Sequence, residues 1–361
     1  MLKAPGSLAE LTPEFMTVAL GQRFPGAIVE RVETGAVGNG TNRRTTLRLF
    51  YRKGAGPDSA FVKIQGRLFN RLALVALRAW QAEALLAGSG VDLPLEHPDF
   101  FAAATDRSRF GSLVVMEDIT ARGGRANDAT TALTVSEVAD GLAGLARLHA
   151  AFWDRPLPSS LRFLEPWRLG RVWAPVSRAS LAHGLRRLRR SGRPELIPRQ
   201  VDSANLERQF RASAYLAQLG PRTVLHGDPH PGNTYSLPGE RIGFYDWQLV
   251  RTGDWCHDVG YFLAGSLGVE DRRAHEQDLL KGYLQALRSG GVPPPRFDSA
   301  WERYRSTPAF GLATWLHTYS AGSFQPESVS LATVERFSAA YSDLETHQSD
   351  VAREAPRRRV A

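Results

Sequence analysis

The chain has 361 residues, 43% hydrophobic and 23% charged, with a formal net charge of +8, ordinary values for a soluble globular protein with room for two domains or lobes. No stretch reaches the roughly 18 uninterrupted apolar residues of a membrane span, and Glu10, Pro13 and Glu14 stand where an export signal needs an apolar core. The single cysteine, Cys256, excludes an internal disulfide and makes the cytoplasm the expected compartment. The positive balance is nearly all arginine, since lysine occurs only at Lys3, Lys53, Lys63 and Lys281. No recognised motif supports a nucleic-acid partner, although a cationic field favours capture of a nucleotide.

Taken in order, Thr12-Pro13-Glu14 predicts a helix start, with a cap, a proline in the first turn and an acid. From Ala27 the alternation Ile-Val-Glu-Arg-Val-Glu predicts a half-buried strand, and Thr45–Tyr51 resumes it. Between them Gly35, Gly38 and Gly40 leave two readings open, a plain hairpin tip or a turn whose backbone N–H groups cradle phosphates. Ala60-Phe-Val-Lys63-Ile64 is an apolar strand carrying a lysine, which needs a partner if it is buried. The helical run from Leu72 to Ala87 offers Glu83, its only acid. Gly111–Met116 is a further strand, ending in Glu117-Asp118-Ile119.

Thr134–Trp153 reads as an amphipathic helix, with Val135, Val138, Leu142, Leu145 and Leu148 on one face and His149 joining them as a core histidine. Residues 154–175, with Trp167 and Trp173, read as irregular or short-helical structure that could line an acceptor site. Arg186, Arg187, Arg189, Arg190 and Arg193 read as a solvated helix face, with a site for an acidic substrate or a membrane surface as the other reading. Helices are expected over Arg272–Arg288, Ser299–Ser320 and Val329–Thr346, with Trp301, Phe310, Trp315 and Tyr319 as packing residues and Arg353–Ala361 as a frayed tail.

The stretch Val224–Tyr261 carries the chemistry. Val224-Leu225 and Ile242–Tyr245 read as strands flanking a Pro/Gly-rich loop, His226-Gly-Asp228-Pro-His230-Pro-Gly-Asn233. Asp228 and Asn233 have the D-x-x-x-x-N spacing of a kinase catalytic loop, and Asp246 ends the next apolar run. One carboxylate to receive a hydroxyl proton, with an amide and a second carboxylate for Mg²⁺, is the minimum set for phosphoryl transfer. A zinc site from His226, His230, Cys256 and His257 is the other chemical reading. Pro229 and Pro231 break any helix that would space such ligands, and the lone cysteine supplies no second thiolate.

His-Gly-Asp-x-His-x-x-Asn followed by Asp246-Trp247 resembles the aminoglycoside phosphotransferase and choline-kinase-like superfamily. Asp246-Trp-Gln248 with Asp254 and His257-Asp258 is most similar to its ecdysteroid-kinase-like bacterial members. The resemblance spans about Gly35 to Leu344. It implies an α+β, two-lobed protein-kinase-like fold, with a small antiparallel-sheet N-terminal lobe (1–117), a mostly helical C-terminal lobe (118–350) and a disordered tail (351–361).

By the same resemblance, ATP or GTP with Mg²⁺ is the cofactor set. Lys63 paired with Glu83, the turn at Gly38, Gly40 and Thr41, and the hinge Met116, Glu117 and Ile119 would bind nucleotide, backbone groups of Glu117 and Ile119 reading the adenine edge. Asn233 and Asp246 would hold the metal and Asp228 would take the acceptor proton. His226, His230 and Asp258 would support the loop. The acceptor is expected to be a small-molecule alcohol, bulky and not strongly cationic, because residues 152–173 and 301–324 are aromatic and show no acidic run. An aminoglycoside or macrolide kinase and a catalytically idle nucleotide-binding module are the competing readings. A protein kinase fits less well, with His-Gly-Asp in place of His-Arg-Asp.

Overall fold

The structure is a computed structural model describing residues 2–39, 42–66, 75, 79–166, 174–322, 324–351 and 353. Gly40, Thr41, residues 72–74 and 76–78 of the run that begins at Leu72, Trp167, Trp173 and nearly all of the C-terminal tail lie outside the described residues. The chain divides into two compact units, one of Met1–Arg125, Leu157–Leu164 and Phe244–Val250, the other of Ala126–Pro156, Glu165–Gly243 and Arg251–Ala361.

The first unit is built on an antiparallel sheet. Helix α1 (Pro13–Leu20) begins at Thr12, whose hydroxyl accepts from the Phe15 N–H at 3.3 Å. Strands β1 (Ile28–Thr34), β2 (Gly38–Asn39), β3 (Arg43–Lys53), β4 (Ser59–Ile64), β5 (Phe100–Asp106) and β6 (Gly111–Glu117) pair in the order β1-β3-β4-β6-β5, with β2 on β3. Alternation sets the faces: Thr45, Leu47 and Leu49 of β3 are buried, and the two leucines join Val29, Val62, Leu113, Val115 and Met16 in one core. Strand β5 has no counterpart in the sequence reading. Of the helical run expected over Leu72–Ala87, Val75 and α2 (Ala82–Ala87) are described as helix, with a turn at Trp80–Gln81 ahead of α2.

The second unit is mostly helical, with two small sheets. Strands β7 (Arg125–Ala126), β9 (Thr234–Leu237) and β10 (Arg241–Phe244) form one, and β8 (Thr223–Leu225) pairs antiparallel with β11 (Arg251–Gly253) in the other. Helix α3 (Val135–Phe152) opens with a capping box between Thr134 and Glu137. Helices α4 (Ala174–Arg190), α5 (Ser203–Leu216), α6 (Cys256–Ser266), α7 (Val269–Ser289), α8 (Phe297–Ser306), α9 (Pro308–Ala321) and α10 (Glu327–Asp343) follow. Helix α6 is buried along its whole length, and α3 packs on α6 and α7 while α9 packs on α4, α5 and α10.

The single helix expected over Ser299–Ser320 is two. Pro308 has no N–H to continue α8, so the chain turns at Thr307 and restarts. The arginine face is only partly solvated. Arg187 donates to the Tyr319 carbonyl at 2.7 Å and pairs with Glu327 at 2.9 Å, while Arg186, Arg189 and Arg190 are exposed. Among the described residues no helix is long and apolar enough to cross a membrane.

Candidate active site

In the first unit the sheet delivers Lys63 to two carboxylates. Lys63 stands on β4 between Arg44 of β3 and Val114 of β6. Its Nζ is 2.7 Å from Glu83 Oε2 on α2, and it also pairs with Asp246 Oδ1. The second Glu83 oxygen accepts from the Trp247 N–H at 3.1 Å, so one carboxylate ties the lysine to the segment carrying Asp246. The Lys63 and Glu83 side chains are only 9% and 7% exposed. Burial alone would depress the Lys63 pKa, but Asp246 and Glu83 outweigh it and hold the ammonium above its ordinary range. Burial pushes Glu83 upward.

Asp246 sits at φ 62°, ψ 60°, a left-handed conformation that costs a non-glycine residue free energy and is found where a site demands it. Asn42 donates to Gln248 Oε1 at 3.1 Å, fixing the same segment from β3. The enclosed cavity beside these groups, lined by Asn42, Trp80, Ser112 and Gln248 among others, is about 10 Å³. That is room for about one water and not for a ligand.

Of the remaining nucleotide-site candidates, Gly38 lies in β2 opposite Arg44, in a hairpin ladder. Met116 is a buried packing residue with Ala84 and Val114. The hinge expectation narrows. The Glu117 N–H is spent on the Asp99 carbonyl at 2.8 Å, and the Ile119 carbonyl accepts from Gly124 at 2.9 Å. Those two backbone groups are therefore already engaged within the fold. The Glu117 side chain is not simply solvated, because Arg122 clamps it at 2.6 Å and also reaches Glu96 at 2.8 Å.

In the second unit, β8 runs directly into the His226–Asn233 loop. Asp258, near the start of α6, holds that loop by its backbone: Oδ2 accepts from His226 N–H at 2.6 Å and Oδ1 from Gly227 N–H at 2.9 Å. Gly227 has φ 86°, so the sharp turn ahead of Asp228 requires glycine. His149 Nε2 lies 3.4 Å from Asp258 Oδ2 while its Nδ1 meets the Tyr283 hydroxyl at 2.7 Å, making it a satisfied core histidine. Burial would raise the Asp258 pKa, but the His149 hydrogen bond and the neighbouring imidazoles of His226 and His257 hold it below its ordinary value.

Asn233 Nδ2 donates to the Asp228 carbonyl at 2.9 Å and to its Oδ2 at 3.1 Å, which leaves the amide oxygen as the atom able to ligate a metal. His226 Nδ1 accepts from the Asp228 N–H at 3.3 Å. His230 Nδ1 accepts from Gly232 N–H at 3.1 Å, so its proton sits on Nε2, 3.8 Å from Asp228 Oδ2. Arg251, opposite Leu225 on β11, is near enough to Asp228 for the aspartate to act on its charge. Among the described residues no group of three or more His, Cys, Asp or Glu is placed to hold a metal, so His226, His230, Cys256 and His257 form no zinc cluster.

The sequence reading missed the direct Lys63–Asp246 pair, the Asn42–Gln248 bond and Arg251. Only the first had a signal, since a strand lysine and a strand-end aspartate each needed a counter-charge.

A family model described as the phosphotransferase enzyme family matches residues 46–305, well over half of the chain. The chain belongs to the phosphotransferase enzyme family. Two solved structures of similar fold are an ethanolamine kinase of Plasmodium vivax (TM-score 0.50, 12% identity, covering 86% of this chain and 81% of that one) and a candidate aminoglycoside phosphotransferase of Ralstonia eutropha (TM-score 0.51, 14% identity, 91% and 95%). At these identities the likeness establishes the fold, which is protein-kinase-like. A search of curated proteins finds no match. As a member of the phosphotransferase enzyme family, the chain is a phosphotransferase.

Proposed function

We propose that the protein transfers the γ-phosphate of ATP to a hydroxyl of a small, bulky and weakly charged molecule. The observation that carries this reading is the buried Lys63 held by both Glu83 and Asp246. Taking three charges out of water costs more than a well-packed apolar cluster would, so such a triad is a poor stabilising device. It makes sense as a polyanion receptor, in which the ammonium meets phosphate oxygens and Glu83 keeps it aimed.

By donor chemistry, Asp246 and the amide oxygen of Asn233 would be the ligands of Mg²⁺, a hard cation that takes one or two carboxylates together with phosphates and water. When bound, the metal neutralises charge on the β- and γ-phosphates. Asp228 orients the acceptor hydroxyl and receives its proton. The acceptor oxygen bonds to the γ-phosphorus as the bond from that phosphorus to the β–γ bridging oxygen breaks, and ADP leaves. The loop held by Asp258 and Asn233 supplies the positioning that a loose transition state rewards.

Two features around Asp228 favour an uncharged acceptor. Phe310 packs at a tilt against His257 and Tyr261 at centroid distances of 4.5 and 5.6 Å, and Trp315 meets His230 edge-on at 5.1 Å. The Arg251 cation close to Asp228 disfavours a polycationic sugar. The test is a screen of alcohols with Mg²⁺ and radiolabelled ATP. Phosphate transfer to sterol-like or polyketide-like alcohols supports the reading, preference for polycationic amino sugars overturns its acceptor half, and nucleotide binding without transfer to any alcohol or water favours the idle module.

A further inference from the structure

Two buried polar tips in the second unit stand unused. Among the described residues the Tyr261 hydroxyl on α6 and the Trp315 indole N–H on α9 complete no hydrogen bond of ordinary geometry, although the residues are only 2% and 3% exposed. Burying such groups unpaired is unfavourable, and phenylalanine would fill either place more cheaply.

Both belong to elements that reach Asp228. Asp258 of α6 grips the N–H of Gly227, next to Asp228, and Tyr261 lies one helical turn further on, over the same side of the helix. Trp315 packs edge-on against His230, whose Nε2 is 3.8 Å from Asp228 Oδ2. Phe310, on the same helix as Trp315, lies against the Tyr261 ring.

We propose that Tyr261 and Trp315 are positioning residues for Asp228, forming a buried donor relay in which the indole N–H supports the phenol oxygen and the phenol O–H supports the Asp228 carboxylate. A carboxylate offers about four acceptor directions, and the Asn233 amide takes one at Oδ2. The phenol adds a second constraint from the α6 side, restricting the carboxylate to the rotamer that faces the acceptor. Consistent with this contact, Asp228 and the Trp315 N–H both act on the Tyr261 hydroxyl.

The relay rests on the phosphotransfer reading of Asp228. The test uses the full chain with Mg²⁺ and ATP alone, water serving as acceptor, and compares Tyr261→Phe, Trp315→Phe and Asp228→Asn singly and in pairs. The expected result for Tyr261→Phe is an about tenfold fall in kcat at unchanged KM for ATP, the loss of one hydrogen bond to a charged group. Trp315→Phe should fall less, and neither change should cost anything further in the Asp228→Asn background. A parallel double-mutant cycle in urea should show that Tyr261→Phe and Asp228→Asn are not additive in stability. Full additivity in both cycles, or a Tyr261→Phe enzyme with unchanged kcat, would overturn the relay. Nucleotide binding without any turnover by the wild-type protein would instead remove the phosphotransfer reading, and the urea cycle would still decide whether the contact exists.

Discussion

At the scale of single residues, roles divide by what each group can and cannot do without. Asp228 carries its carboxylate on a loop fixed by others, so Asp228→Asn should keep the fold and nucleotide binding while turnover falls about 10²–10⁴-fold, the usual scale for a lost acid–base group. Asp246→Ala should abolish Mg²⁺-dependent ATP binding, read by titration calorimetry with and without the metal. His257 offers a test that needs no substrate. Burial, with Arg251 nearby, pushes its pKa from 6.5 down to about 4, so the folded protein keeps it neutral. The unfolded chain binds that proton first as pH falls, so this stability is complete above pH 6.5 and is lost between pH 6.5 and 4, at about 1.4 kcal/mol per unit. Urea midpoints across that window should slope for the wild type and flatten for His257→Gln; parallel curves would dismiss the assignment.

Elements explain which of these residues could be read in advance. His226, Asp228, Asn233 and Asp246 were legible because the chemistry sits in a short, spaced motif, and Lys63 because an ammonium in an apolar strand demands explanation. The contacts that hold each of them in place come from elements far off in sequence, which no local pattern announces. Tyr261 and Trp315 look like ordinary core aromatics until their polar tips are traced, and β5, irregular in its alternation, left no signal at all. Pro308 did leave one, and heeding it would have divided α8 from α9. Helix α6 is the element on which the loop depends. Asp258→Ala would orphan the His226 and Gly227 N–H groups inside the protein, each costing about 1–3 kcal/mol. Thermal melting should show a loss of that order, with Asp258→Asn intermediate because an amide oxygen can still accept one of the two bonds.

For the whole molecule, the two units are stabilised by different means. The first is a sheet closed by one apolar core, whereas the second spreads its core over helices pinned by buried polar groups such as Arg272, which pairs with Glu276 at 2.7 Å. The excess of positive charge acts over both, and its consequence is kinetic. Capture of a nucleotide tetra-anion should slow several-fold from low to high salt, while its release changes little. Stopped-flow mixing with a fluorescent ATP analogue separates the two rates, and a salt-independent on-rate would show that the net charge plays no part.

Cys256, the chain's lone thiol, is buried two positions before Asp258, and burial keeps it protonated well above its ordinary range. It therefore reacts with a disulfide reagent such as Ellman's only when the surrounding helix opens. The rate at which colour develops becomes a built-in clock for loosening of the catalytic loop's anchor, readable without a label, a ligand or any knowledge of the acceptor.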